Sequence, residues 1–170
     1  MRNRNNSQHR DQTRNPDALM TGDYLFHVES MAVRIIGTKG KEQERAYITG
    51  SIDGERTLRR FEIPVFFSSL ERDQRDARHI QLFDAICDAT KAKNPADATE
   101  GPNAYAFDEN GTGLGLPVGA YRIAKKHQTV PLRIQRAEGN DFQKQAAQTD
   151  KAGYINKIVR CLEGATDVDL

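Results

Sequence analysis

Residues 23–36, DYLFHVESMAVRII, alternate apolar and polar side chains in two registers that do not agree. Tyr24, Phe26 and Val28 share one face of an extended chain; Met31, Val33 and Ile35 share one face further on. A strand repeats every second residue, so the odd step from Val28 to Met31 predicts a β-bulge or sharp bend near Glu29–Ser30 that swaps the inward face. A strand bent in this way can pair in both halves of a small barrel.

The neighbouring sequence supplies partners. Gly37-Thr-Lys-Gly-Lys is a basic turn into residues 44–52 (ERAYITGSI), where Ala46, Ile48 and Ile52 alternate with Tyr47, Thr49 and Ser51. Asp53-Gly54 predicts a tight type I′ hairpin, which needs positive φ at both central residues. Residues 57–67 (TLRRFEIPVFF) then place Phe61, Ile63, Val65 and Phe67 on one face, and Pro64 on the other predicts an edge strand or bulge. Ser68-x-x-Glu71 is a candidate capping box before residues 77–90, ARHIQLFDAICDAT. In that helix Leu82, Phe83, Ile86 and Ala89/Thr90 form a stripe, and Arg78, Gln81, Asp84 and Asp88 face water.

After the helix the pattern weakens. Residues 91–120 are polar and then glycine-rich, and the β pattern returns at Val130, Leu132 and Ile134. A further connection runs from Ala137 to Ala152. Tyr154, Ile155, Ile158, Val159 and Leu162 are spaced as a helical stripe, but the architecture calls for a strand and the residue types favour one. Strand, strand, strand, helix, strand, strand is the order of an OB-fold, a small barrel often used to hold single strands or oligomers. The expected fold is therefore mainly β with one core α-helix, a five-stranded OB-type barrel. It occupies residues 21–162, with an irregular insertion at 91–128, a flexible basic arm at 1–20 and an acidic tail at 163–170.

The 170-residue chain suits one domain. Hydrophobic residues make up 37 % and the mean hydropathy is −0.73, low enough that part of the chain is expected to be loop or tail. The net charge of +1 conceals segregation, with four arginines against two aspartates in the arm and three acids without a base in the tail. Cys87 and Cys161 lack metal spacing and read as free thiols in a reducing compartment. With no apolar run of transmembrane length and no secretory leader, a soluble protein of the cytoplasm is expected.

No catalytic signature interrupts these elements, and neither an enzyme nor a cofactor is expected. His9, His27, His79 and His127 are scattered without ligand spacing. Gly111, Gly113 and Gly115 lack the Gly-Lys-Ser/Thr ending of a phosphate loop and read as an exposed loop. The basic residues are more informative. Residues 121–136 (YRIAKKHQTVPLRIQR) hold five Lys/Arg and no acid, Arg56, Arg59 and Arg60 enter the third strand, and Arg34, Lys39 and Lys41 flank the first turn. Three basic runs on adjoining elements would make a groove that neutralises phosphates. The expected phosphate contacts are Arg34, Lys39, Lys41, Arg59, Arg60, Lys125, Lys126 and Arg133. Tyr47, Phe66 and Tyr121 are the expected base-stacking residues.

The segments GDYLFHVESMAVR, RRFEIPVFF, LFDAICDA, PLRIQRAEGNDF and GYINKIVR together resemble a family of phage-encoded single-stranded-DNA-binding proteins with an OB core. The resemblance covers about residues 21–90 and 129–162; the long 91–128 segment and the arginine-rich arm depart from it. It implies non-catalytic binding of single-stranded DNA in phage replication or recombination, in the host bacterial cytoplasm. The acidic tail would contact replication or recombination proteins. The alternative is a phage protein-interaction or inhibitor module, for example against a host defence complex, on the same scaffold.

Overall fold

The computed structural model describes residues 15–39, 43–53, 55–65, 77–93, 95, 106–107 and 113–163. Its elements in chain order are β1 (Gly22–Ile36), β2 (Gln43–Ile52), β3 (Arg59–Val65), α1 (Ala77–Thr90), β4 (Ala106–Phe107), β5 (Gly113–Gly115), β6 (Gly119–Tyr121), a 3-10 turn (Lys125–His127), β7 (Thr129–Glu138), α2 (Asp141–Gln145) and β8 (Tyr154–Cys161). The protein is mainly β, with one sheet of six antiparallel strands and one main helix; β4 and β5 form a separate small pair.

The bend in β1 is present where the pattern requires it. The β1–β2 ladder shifts register between Val28 and Ser30, and Phe26, Val28, Met31 and Val33 are all buried. Gly50 lies opposite Val28, and a Cβ there would overlap the His27 carbonyl, so only glycine lets the two backbones cross so closely. On its other edge β1 pairs with β7 from Gly22 to His27 and with β6 from Met31 to Val33. Strand β6 falls inside the predicted irregular insertion. Its three residues are too few to show a period, but its ladder to β1 makes it the sixth strand of the sheet.

The sheet runs β3-β2-β1-β7-β8 and does not close into a barrel. Following the antiparallel ladders outward from β1, β3 and β8 run in the same direction, and they come close without pairing. Residues 15–20, placed by the sequence in a flexible arm, span the two edges. Asn156 on β8 accepts from the Leu19 amide at 2.7 Å and donates to its carbonyl at 2.9 Å, while Asp150 accepts from Ala18 at 2.8 Å. From the β3 side Arg59 donates to the Asp17 carbonyl at 2.9 Å. Leu19 packs against the core.

One turn reading needs revision, and one ambiguous segment is resolved. Glu55 N donates to Ile52 O at 2.9 Å across Asp53-Gly54, but β2 and β3 pair only from Gly50 and Arg59 onward. Asp53 does not adopt positive φ, so the connection is a wider loop and no type I′ hairpin forms. The 154–161 segment is a strand paired to β7, and its helical spacing by count arises from a register shift between Arg133 and Ile134 in that ladder. The capping box at Ser68–Glu71 lies outside the described residues.

Helix α1 covers the inner face of the sheet with Ile80, Leu82, Phe83, Ala85, Ile86 and Cys87, all buried. Phe83 meets Tyr121 edge-on at 5.4 Å, and Phe26 meets Phe61 in the same way. The helix ends in a Schellman arrangement in which Lys91 N donates to Asp88 O and Ala92 N to Cys87 O, with Lys91 at φ 51°.

One charged side chain lies wholly inside. Glu44 on β2 is 0 % exposed; one carboxylate oxygen accepts from the Leu116 amide and the other, Oε1, has no hydrogen-bond partner among the described residues. Burial raises its pKa to about 7, partly offset by the Leu116 bond. Asp84, read from the sequence as solvated, is half-buried because it borders the widened apolar stripe of α1. Burial first, and then the charge of Asp88, raise it to about 7 as well.

Phe83→Ala should lower stability by ~3–5 kcal/mol through the cavity it leaves, a loss read directly by denaturant unfolding. The pH dependence has a definite sign. An unfolded carboxyl ionises near ~4.3, whereas folded Glu44 and Asp84 ionise near 7. Between those values the folded state holds protons that the unfolded state has released, so stability falls as pH rises from about 4.5 to about 7 and then levels. In Glu44→Gln that fall should shrink, leaving the part due to Asp84; an unchanged pH profile of the unfolding midpoint would count against the buried carboxyl.

Candidate nucleic-acid interface

Strand alternation sends Arg34, Arg45, Tyr47, Arg60 and Glu62 to the outer face of β1, β2 and β3. Tyr47 stands opposite Ala32 on β1 and Glu62 on β3, and Arg34 stands opposite Arg45. Tyr47 is half-buried because two guanidinium groups lie over its ring, Arg34 at 5.6 Å and Arg60 at 4.9 Å from the centroid. Both distances fall within cation–π range. Glu62 bridges two of the arginines, at 3.1 Å to Arg45 and 3.5 Å to Arg60. The result is an aromatic ring flanked by cations drawn from both neighbouring strands. It can offer a π-face to a planar ligand and positive charge to that ligand's anionic groups.

The other expected residues divide. Lys39 is exposed on the turn after β1, adjoining the Arg34 end of this face. Lys125 and Lys126 are exposed on the 3-10 turn before β7, without a side-chain contact to the Tyr47 cluster. Arg133 pairs with Asp23 at 2.9 Å across the β1–β7 ladder. Arg59 is committed elsewhere, with a side chain only 11 % exposed, paired to Glu55 at 3.6 Å and bonded to the Asp17 carbonyl. It anchors residues 15–20 and is not a free phosphate contact. Tyr121 is also corrected. It is 5 % exposed, packed on Phe83, with its hydroxyl donating to Pro117 O at 2.6 Å, so its ring is core and no base can stack on it. The cause is the alternation of β6, which turns Ala120 outward and Tyr121 inward. Lys41, Phe66, Gly111 and residues 164–170 of the tail lie outside the described residues, as does the glycine-rich loop before Gly113.

The fold gathers three cations that the sequence reading did not name as contacts, Lys91, Lys93 and Arg122, the last counted there only within the 121–136 run. Lys93 and Arg122 exchange backbone hydrogen bonds at 2.6 and 3.2 Å, which brings Lys91–Lys93 beside the Arg122–Lys126 segment. An open recess of about 390 Å³ adjoins them, lined by Asp88, Ala89, Lys91, His127 and Glu163. The remaining chemistry is sparse. Among the described residues no group of three or more His, Cys, Asp or Glu could hold a metal ion. Cys87 and Cys161 are buried and form no disulfide with each other, and burial pushes the Cys87 thiol well up. No described helix is long and apolar enough to cross a membrane. No family model matches the chain, nor does any curated protein or solved structure.

If Glu62 restrains the outer-face arginines, Glu62→Gln should release Arg60 and loosen Arg45. Titration with a labelled oligothymidylate should then give affinity raised a few-fold at low salt, with the gain fading above a few hundred millimolar as screening takes over.

Proposed function

We propose that the protein binds single-stranded nucleic acid, without catalysis, on the outer face of β1, β2 and β3. The observation that carries this reading is the outward Tyr47 ring with Arg34 and Arg60 beside it. Base–aromatic stacking contributes ~1–3 kcal/mol per base and tolerates any base, while arginines beside the ring meet the phosphates. The strand order supports the reading too. A bent first strand paired on both sides, parallel edges at β3 and β8 and a helix against the inner face are what an OB-type barrel has, here with residues 15–20 joining the two edges. In that architecture the face of the second and third strands and the adjoining loops take the oligomer, and this is where Tyr47 and Lys39 lie. The resemblance to phage single-stranded-DNA-binding proteins extends the proposal to a role in phage replication or recombination.

Fluorescence anisotropy with single- and double-stranded oligonucleotides of one sequence tests it. Single strands should bind more tightly, and affinity should fall steeply with salt. Tyr47→Ala should weaken single-strand binding by roughly five- to a hundredfold, the equivalent of one lost stack, and Tyr47→Phe should retain most of it. A protein that binds neither strand type at low salt would instead point to the interaction-module reading, in which the same charged face meets a protein.

A further inference from the structure

The two cationic regions differ in how their charges are satisfied. Arg45, Arg59, Arg60 and Arg133 each hold a carboxylate, and Arg34 lies over the Tyr47 ring. Lys91, Lys93, Arg122, Lys125 and Lys126 form no ion pair among the described residues, although Asp88 and Glu163 line the recess beside Lys91. Four of the five are anchored by backbone geometry: Lys93 and Arg122 by their mutual bridge, Lys125 and Lys126 by the 3-10 turn. Cations held in place without a carboxylate have no partner to give up when a phosphate arrives.

Register places two members of this cluster, Lys93 and Arg122, on the face that carries Tyr47. Residues paired across a ladder point to the same side. Tyr47 stands opposite Ala32, and Ala32 opposite Ala120 on β6, so the three form one row across β2, β1 and β6. Two strand spacings put Ala120 about 10 Å from Tyr47. Arg122 lies two residues beyond Ala120 and is exposed like it, while Tyr121 between them is buried. Lys93 is exposed and bridged to Arg122, so it shares that side. Arg60 heads the next row, opposite Thr49, which faces Ser30. Between ring and cations the face carries the small side chains Ala32, Ala120, Thr49 and Ser30, with the exposed Glu29 of the bulge beside Ser30.

Lys91 adds an independent sign. It occupies the left-handed position that ends α1, at φ 51°, where glycine is the stable choice. Ala147 adopts the same conformation after α2, at φ 54°, and what distinguishes Lys91 is the cation it places beside the recess.

Resting on the reading of Tyr47 as a stacking platform, we infer that a bound single strand leaves Tyr47 across β1 and β6 and lays its phosphates on the cluster of Lys91, Lys93, Arg122, Lys125 and Lys126. This cluster, more than the carboxylate-paired arginines, sets the salt dependence of binding. Ring and cluster divide the work: the ring holds bases through a contact that salt barely touches, and the cluster releases counterions.

Salt titrations of oligothymidylate binding test the path. Each phosphate contact on a single strand contributes about 0.7 to the log–log slope. Lys125→Ala/Lys126→Ala should therefore flatten the slope by about 1.4, and Lys125→Arg/Lys126→Arg should preserve it. Tyr47→Ala should weaken binding with the slope nearly intact. Ala120→Glu, at an exposed position in the path, should weaken binding severalfold or more, whereas Ala120→Lys should not. Lys91→Gly should raise the melting temperature while lowering affinity, a pairing that a purely structural role would not produce. An unchanged slope in the Lys125/Lys126 alanine variant, with Tyr47→Ala still impaired, would overturn this inference and leave the proposed function standing. Absence of wild-type binding would overturn both, and slope loss with an unaffected Tyr47→Ala would overturn the platform and with it the path from Tyr47, leaving only the cluster as a phosphate site.

Discussion

An extra residue at Glu29 turns β1 partway along its length, and Gly50 allows β2 to cross at that point with the two backbones nearly touching. Ahead of the turn β1 pairs with β7; beyond it, β2 and β6 flank the strand on either side. Every later placement follows from this. Because β6 joins the same edge as β7, Ala120 comes into line with Ala32 and Tyr47, and Arg122, which follows β6, arrives on the outer face. A straight β1 would keep one inward register throughout and would bury Glu29 or expose Met31.

The interior carries its own tension. Glu44 is the one charged side chain fully enclosed among the described residues, and its single bond holds the Leu116 amide where the chain re-enters the sheet toward β6. A leucine in its place would suit the apolar surroundings but leave that amide unsatisfied. The carboxyl thus fixes the approach to β6 at the cost of a proton taken up near neutrality. The outer face follows a different rule, because charges there stay hydrated and pairing costs little. What matters outside is which cations are already committed to a carboxylate and which are not.

Periodic signals were legible in the sequence. The phase change between Val28 and Met31, the apolar alternation of β2 and β3, the stripe of α1 and the edge character of β3 implied by Pro64 all correspond to observed elements. The last strand was legible only from architecture, because the shift in its ladder to β7 disguises its period. Strand β6 was illegible, since three residues have no period and its position is set by partners nearly ninety residues away. That omission carried over to the site: without β6, Tyr121 had no inward direction and Arg122 no neighbours. The outward direction of Tyr47 was readable from β2 alone, but the two arginines over its ring were not, because they come from different strands. Arg59 looked identical to Arg60 in sequence; only the path of residues 15–20 distinguishes them.

Residues 15–20 are held across the sheet edges by side chains and no ladder. The Leu19–Asn156 bonds join positions 137 residues apart, and those of Asn15 and Ala18 are comparably distant. Closing so long a loop yields little until both edges exist, so this segment docks after β3 and β8 are in place. It is also the first to let go, since a few partly exposed hydrogen bonds open at far lower free energy than the sheet. The amides of Ala18 and Leu19 should then exchange with solvent through local opening while those of β1 wait for global unfolding. Each opening bares two parallel strand edges, a surface that another extended chain can pair with.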